Sequence, residues 1–299
     1  MGGFAFEAPT SLDAALALLA EKAQAQVRTQ LLAGGTDMLV QLRSIDPEPR
    51  CIVDIKGVPE TSEIRLDDAG LVLGSAVTAA TLTRHAGIAA LWPGLVEGVD
   101  LIGSTQIQGR ASPGGNLCTA SPAGDSIPIM IANGAVAHIA SAGGRRELPV
   151  EQFVTGVQQN ALEPGEMLVA ISFPHPGERS GDGYLRFIPR TEMDIAVASA
   201  GVRVSVDEAG VITAARVGIG AVAPTALLVP AAAEALVGTT GDDAAMAALA
   251  DACSAAANPI TDKRGTADYR RRVVGVLARR AAARALARAR GEAVEGGHA

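Results

Sequence analysis

The chain has 299 residues and a formal net charge of −7, a length beyond the usual single core that implies one large domain or two to three smaller ones. Its acidic residues are dispersed, so it lacks the basic footprint that nucleic acid or an anionic membrane surface would attract. Its apolar runs are broken by Gly, Pro or charge before the roughly 20 residues a membrane helix needs, and Met1 to Pro9 shows no export signal, so a cytoplasmic protein acting with a small molecule or a partner protein is expected.

Thr10 and Ser11 precede an apolar-periodic run, Leu12, Ala15, Leu16 and Leu19, with Asp13 in the first turn, which predicts an N-capped amphipathic helix. Residues 30–33 are short and apolar, like a buried strand. Gly34-Gly35-Thr36-Asp37 follows as a turn, and 38–43 reads as a second helix. From Cys51 the texture becomes β-rich, with runs at 51–55, 63–66 and 71–74, and helical stretches come next near 79–85 and 94–102. Pro164-Gly165 and the polar segment 174–183 are the clearest linker signals, the latter a candidate domain boundary. Two alternating runs, 197–206 and 211–220, flank Asp207-Glu208-Ala209-Gly210 and predict a hairpin with a four-residue turn. Alanine-rich helices at 227–236 and 243–256 precede a long helix at 266–290. Its Arg270, Arg271, Arg272, Arg279, Arg280 and Arg284 read as a solvated or subunit-facing side. Strands and helices mix without strict alternation, and no solenoid-period repeat is present, which favours an α+β chain of several small domains.

Cys51, Cys118 and Cys253 lie far apart and form no CxxC pair, so no iron–sulfur cluster is expected in this chain. His85, His138, His175 and His298 are equally scattered, and no metal site is expected. The chemistry points instead to two glycine-rich segments, Leu31-Leu32-Ala33-Gly34-Gly35-Thr36-Asp37-Met38 and the stretch from Gly109 to Asp125. Without side chains at Gly34, Gly35, Gly114 and Gly115, backbone N–H groups can approach an anion closely, and a helix N-terminus just beyond adds partial positive charge. Thr36, Ser112, Asn116, Thr119 and Ser121 add small polar groups suited to phosphate or ribityl oxygens. Either segment alone also fits an ordinary glycine turn; converging, they would make a diphosphate cradle. Neither has the Lys-Ser/Thr ending of a P-loop. Gly218 to Ala223 matches GxGxxA, but Pro224 follows, and the hairpin puts the match at the end of an antiparallel strand, where a dinucleotide fold needs a helix.

The pair LLAGGTDML and IGSTQIQGRASPGGNLCTASPAGD resembles the two flavin loops of the FAD-binding (medium) subunit of the xanthine dehydrogenase and carbon monoxide dehydrogenase family of molybdenum hydroxylases. A third block, Tyr184 to Ala196, resembles that family's third signature, and order, spacing and the arginine-rich last helix extend the resemblance over essentially the whole chain. The resemblance implies an α+β, PCMH-type (vanillyl-alcohol-oxidase-like) FAD-binding fold. Two α/β subdomains, 1–55 and 56–175, would hold FAD between them, a C-terminal α+β domain at 180–290 would close over the flavin ring, and 291–299 would be a flexible tail. It also implies that Leu31, Leu32, Ala33, Gly34, Gly35, Thr36, Asp37 and Met38 wrap the pyrophosphate. Ser112, Gly114, Gly115, Asn116, Thr119 and Asp125 would contact the diphosphate, ribityl and adenosine portions, and Ile102, Leu168 and Ile195 would lie near the ring or adenine. Two departures stand out. Pro113 replaces an aliphatic residue of the middle loop and removes one backbone donor, and Arg186 stands where many relatives carry a lysine close to the flavin, with the same charge but a planar fork.

By the same resemblance this chain would hold FAD, while a large subunit holds the molybdenum cofactor and a small subunit two 2Fe–2S clusters, assembled as a dimer of heterotrimers. Substrate oxidised on the large subunit would send electrons through the clusters to FAD and on to NAD, a quinone or oxygen. Such a chain needs no catalytic acid or nucleophile, and the sequence offers no triad or carboxylate dyad. Two other readings stay open: a self-contained flavoprotein oxidoreductase, and a scaffold subunit without flavin.

Overall fold

The computed structural model describes residues 4–42, 50–190 and 193–294. Arg43 at the end of the second predicted helix, Thr191 and Glu192 of the third block, His298 and the tail beyond 294 lie outside these residues.

The chain begins with β1 (Phe4–Glu7), α1 (Leu12–Gln24), β2 (Arg28–Leu32), α2 (Met38–Gln41) and β3 (Arg50–Asp54). Ser11 caps α1 as its sequence predicts, accepting from the N–H of Ala14 at 3.3 Å. The three strands form a small sheet in the order β1-β3-β2 with both pairs parallel, a geometry that needs crossover connections, and α1 supplies the one from β1 to β2. After α3 (Pro59–Ser62) come the hairpin β4 (Ile64–Asp67) and β5 (Gly70–Gly74), then six helices: α4 (Ala79–Thr83), α5 (Ala86–Leu91), α6 (Pro93–Asp100), α7 (Thr105–Gln108), α8 (Pro113–Thr119) and α9 (Ile127–Ala132). β6 (Val136–Ser141), β7 (Gly144–Pro149) and β10 (Met167–Pro174) complete a five-stranded antiparallel sheet in the order β4-β5-β10-β6-β7, and between β7 and β10 lie α10 (Val150–Phe153) and a separate two-stranded pair, β8 (Val154–Gly156) with β9 (Gln159–Asn160). β11 (Ser180–Phe187), β12 (Ala198–Val206), β13 (Ile212–Gly220) and β14 (Leu227–Leu228) make a four-stranded sheet, followed by α11 (Pro230–Glu234), α12 (Asp243–Ala256) and α13 (Ala267–Ala289).

Burial explains the layering. The apolar stripe of α1, Leu12, Ala15, Leu16 and Leu19, packs on Cys51 and Val53 of β3 and also on Ala140, Met167 and Val169 of the five-stranded sheet, so the small sheet shares its core with the larger one. The opposite face of the five-stranded sheet carries α4 to α9, with Leu71, Leu73, Ile139, Ile171 and Phe173 meeting Trp92, Leu95 and Ile129. α9 is then caught between two sheets, because β12 and β13 reach it through glycine. A Cβ on Gly201 would lie 2.7 Å from Ile129 Cα, and one on Gly218 only 2.2 Å from the Pro128 carbonyl. On the far side α13 rests on the same sheet through Ala278, Ala281, Ala282 and Ala285, small enough for backbone to approach the glycines of β11. The predicted hairpin is present, with Asp207 Oδ1 accepting from the N–H groups of Ala209 and Val211. GxGxxA accordingly closes β13 on an antiparallel pair and opens no helix.

Several expectations need correction. Pro164-Gly165 is not a linker; it lies in the turn between β9 and β10. Ser180 to Gly183 already belong to β11, so the connection between sheets shrinks to 175–179. The arginines of α13 are not uniformly solvated. Arg270 is only 3% exposed and donates to the Val197 carbonyl at 3.0 Å and to Asp262 at 2.7 Å. Arg284 and Arg288 meet Glu97 of α6 at 2.9 and 2.5 Å. Their partners lie far away in the chain, so helical periodicity could not reveal them. Arg272, Arg279 and Arg280 do face solvent. Among the described residues no helix is long and apolar enough to cross a membrane.

Asp182 of β11 fixes the four-stranded sheet to the helical layer. Its buried carboxylate accepts from the N–H of Gly94 at 2.7 Å, the N–H of Leu95 at 3.0 Å and the side-chain amide of Asn133 at 2.8 Å, which caps the start of α6. Burial pushes this carboxyl above its usual range, against the pull of those donors and of Arg288. Asp182→Ala should therefore lower unfolding free energy by at least about 3 kcal/mol, since each stranded buried donor costs about 1–3 kcal/mol. Chemical denaturation checks this, and a loss below about 1 kcal/mol would contradict the anchoring role.

Candidate functional site

β2 ends at Leu32 and the chain turns through Ala33 to Asp37 before α2 begins. Gly35 has φ +79°, a left-handed conformation suited to glycine. Gly34 is needed for a different reason: a Cβ there would lie 2.0 Å from the carbonyl oxygen of Arg110. Backbone touches backbone at this point, and Arg110 Nε donates back to the Gly34 carbonyl at 3.2 Å. The side chain of Asp37 does not cap α2; it accepts from Thr119 Oγ1 at 3.0 Å. The two glycine-rich segments are thus joined directly, at both ends of the turn.

The second segment is not the loop its composition suggests. Pro113 to Thr119 form α8, with Ser112 as N-cap accepting from the N–H of Gly115 at 3.0 Å and donating its own hydroxyl proton to the Ser75 carbonyl at 2.9 Å. Pro113 occupies the first helical turn, where a missing N–H costs nothing and a fixed φ helps. Gly114 faces inward, and a Cβ on it would lie 2.4 Å from the Ser75 carbonyl. Gly115 faces the other way, and its Cβ would meet nothing but Ser112 Oγ at 3.0 Å. Asn116 uses its Oδ1 on Ser126, whose N–H and hydroxyl bond to it at 3.4 and 2.8 Å. The far end of α8 is tied down by Asn160, whose amide donates to the Cys118 carbonyl at 2.9 Å.

Between these segments lies a cleft of about 860 Å³. Leu31, Ala33, Gly34, Gly35, Thr36, Asp37 and Met38 line one wall, and Ser112, Gly115, Asn116 and Thr119 line the other, with Ile102 beside them. Leu32, Gly114, Asp125, Leu168, Arg186 and Ile195 do not line it. Gly114 lies behind the wall, Leu168 is buried in β10, and Ile195 is 54% exposed beyond β11. Asp125 and Arg186 form a buried ion pair at 2.9 Å. Sequence reasoning missed the outer part of the cleft, where the end of α1 (Leu19, Ala23), the edge of β2 (Arg28 to Gln30) and the turn Leu162 to Glu166 close in. The signal was Pro164-Gly165: Gly165 has φ +87° and packs against Ala23. That turn is held by Arg146, whose guanidinium grips Glu166 at 2.7 and 2.6 Å and holds its carboxyl below the usual range.

The donors left over define what the cleft can hold. Among the described residues, the backbone N–H groups of Gly34, Gly35 and Thr36 find no protein acceptor, and all three residues are on the wall. The NH₂ group of Asn116 is likewise without a protein acceptor among the described residues, whereas the Thr119 hydroxyl already gives its proton to Asp37. Clustered amides at a glycine turn suit a diphosphate. The cleft also has the size and mixed polarity of a cofactor site. Cys118, on the same wall, is chemically quiet because burial pushes its thiol up to about 12. Among the described residues no His, Cys, Asp and Glu gather as a metal site. The cleft therefore offers backbone donors suited to an anionic group.

Two family models match the chain: "FAD binding domain in molybdopterin dehydrogenase" over residues 2–176, and "CO dehydrogenase flavoprotein C-terminal domain" over residues 183–285. The carbon monoxide dehydrogenase medium chain of Afipia carboxidovorans is 32% identical over 97% of this chain and 99% of that one. The xanthine dehydrogenase FAD-binding subunit of Escherichia coli O157:H7 is 35% identical over 72% of this chain and 73% of that one. Among solved structures, reconstituted CO dehydrogenase from Oligotropha carboxidovorans superposes with a TM-score of 0.89 at 30% identity, covering 96% of this chain and 99% of that chain.

The contact between Gly34 and Arg110 makes a direct prediction. Gly34→Ala should force the two walls apart and destabilise the chain by roughly 1–3 kcal/mol, read as a fall in thermal midpoint. A midpoint equal to that of the wild type would contradict the close approach.

Proposed function

The chain belongs to the family of FAD-binding subunits of molybdenum hydroxylases, and from that premise we propose that it is the electron-transfer subunit of such a complex, carrying FAD in the cleft between its two glycine-rich segments. The observation that carries this reading is the set of unpaired amides at Gly34, Gly35 and Thr36 on a cleft of about 860 Å³. In this reading 1–55 and 56–175 supply the two walls, and 180–290 closes the inner end. FAD, when bound, takes up electrons singly from one-electron carriers and gives them up in pairs.

The residues of this chain bind and orient. The turn from Leu31 to Met38 wraps the diphosphate with its amides, while Leu32 holds the turn from behind. Ser112 and Gly114 set α8 in place, so that Gly115 leaves room for the cofactor and Asn116 offers a side-chain donor, while Thr119 ties α8 to the turn through Asp37. Ile102 supplies an apolar surface near the ring. Leu168 and Ile195 stay off the cleft wall, and Asp125 and Arg186 stand behind it as a charged pair. Substrate oxidation is left to a large molybdenum subunit, and a small iron–sulfur subunit delivers the electrons, in a dimer of heterotrimers. The acceptor is NAD, a quinone or oxygen.

Purified chain should be yellow with stoichiometric FAD. Gly115→Val should lose most of it while keeping the thermal midpoint of flavin-free wild type, because the added side chain projects into the cleft and valine tolerates a helix better than glycine. Full flavin retention in that variant would remove α8 from the site. A tagged chain recovered from its own cells should bring a small iron–sulfur chain and a large molybdenum chain with it. Substrate-dependent bleaching by the isolated chain would favour a free-standing flavoprotein instead.

A further inference from the structure

Arg186 lies in β11 with its side chain only 6% exposed. Its guanidinium donates to the Leu101 carbonyl at 2.8 Å and meets Asp125 Oδ2 at 2.9 Å. Each of these anchors adjoins the cleft. Leu101 precedes Ile102, which lines it, and Asp125 precedes Ser126, which is bonded to the wall residue Asn116. The pair therefore stands directly behind the wall at the Ile102 end. It is costly to keep: Asp125 Oδ1 is buried with no partner among the described residues, and burial pushes the carboxyl up to about 6, against the opposing pull of Arg186. A buried ion pair that does not recover its desolvation cost is poor stability design and marks a candidate for function.

Among the described residues, Arg186 is the charged partner of this carboxyl. Tyr184, also on β11, is a phenol kept neutral by burial. The Leu101 carbonyl shares the Arg186 guanidinium with Asp125, and Asn116 of α8 is bonded to the neighbouring Ser126; both are uncharged.

We propose that Asp125 and Arg186 form a proton-gated charge at the flavin end of the cleft, in which the ionised carboxylate masks the guanidinium and protonation unmasks it. This rests on the reading of the cleft as the FAD site. An arginine side chain stays charged throughout the range concerned, so the pair passes from neutral to singly positive as Asp125 takes up a proton. A positive charge close to a group that gains electrons stabilises the reduced form, so unmasking raises the flavin's reduction potential. The pair exchanges no electrons itself. Fold stability moves in the same direction. The carboxyl of Asp125 sits above its unfolded value, so its contribution to stability is fully present below the ordinary carboxylate range and is lost as pH rises through about 6. Acidification across this window does not loosen the fold through Asp125, and a purely structural pair would leave the potential unchanged.

The test is a potentiometric titration of the purified flavin-loaded chain between about pH 5 and pH 8, bracketing this carboxyl's range. Asp125→Asn leaves the cation unmasked at every pH, and Asp125→Asn combined with Arg186→Gln removes both charges. Near the alkaline end the double variant should match wild type, while Asp125→Asn should hold tenfold or more reduced flavin at the same applied potential. Towards the acid end wild type should leave the double variant and converge on Asp125→Asn. Wild type and double variant running together across the whole range would overturn the inference, as would a single variant indistinguishable from wild type at the alkaline end. Should the single variant fail to fold, the comparison of wild type with the double variant decides alone. A wild-type chain that retains no FAD would overturn the flavoprotein reading itself, and this inference with it.

Discussion

Everything in the cleft depends on two pieces of backbone touching without a side chain between them. Gly34 and Arg110, 76 residues apart in the chain, meet so closely that a single methyl group would overlap the Arg110 carbonyl. That contact brings the amide turn after β2 against the start of α8, and the Thr119 to Asp37 hydrogen bond closes the same junction one helix length further on. Among the described residues the amides of Gly34, Gly35 and Thr36 meet no protein acceptor, and the turn's shape is fixed from outside, by Arg110, Thr119 and the packing of Leu32. A preformed row of donors is what an anionic cofactor needs if binding is not to be spent on ordering the loop.

The glycines divide into two kinds that sequence cannot tell apart. Gly34 and Gly114 are glycine because protein backbone lies where their Cβ would be, whereas Gly115 faces open cleft. Gly34, Gly35, Gly114 and Gly115 looked alike as anion-approach positions, and only tertiary neighbours separate them. The same limit hid the nature of α8. Its sequence, PGGNLCT, has poor helix propensity and reads as a loop, yet the Ser112 cap, proline in the first turn and burial of Leu117 make it helical. The α1 cap, the hairpin around Asp207 and the helix beginning at Asp243 were legible, because each rests on a local signal of a cap, a turn or a period. The six short helices between β5 and β6 were only partly visible, since most are too short to show a period.

The fold shares its cores rather than isolating them. α1 is packed by two sheets, α9 by two sheets, and Asp182 and Glu97 carry the C-terminal sheet on hydrogen bonds to α6 and α13. A cofactor held between the first two layers therefore rests on a frame braced by the third. Such rigidity suits electron transfer, in which distance and electrostatics decide the rate and no protein group has to move a substrate. The arginines of α13 illustrate it: residues that look like a solvated stripe in sequence are partly the struts of this frame.

The claim on which all this turns is that the free amides of one turn grip the cofactor, and residue-resolved amide hydrogen exchange of the chain with and without FAD tests it most directly. Bound FAD should slow exchange at Gly34, Gly35 and Thr36, while Gly115, whose N–H is already bonded to Ser112, should change little. Flavin bound in full with exchange at Gly34, Gly35 and Thr36 unaltered would show that the cofactor lies elsewhere.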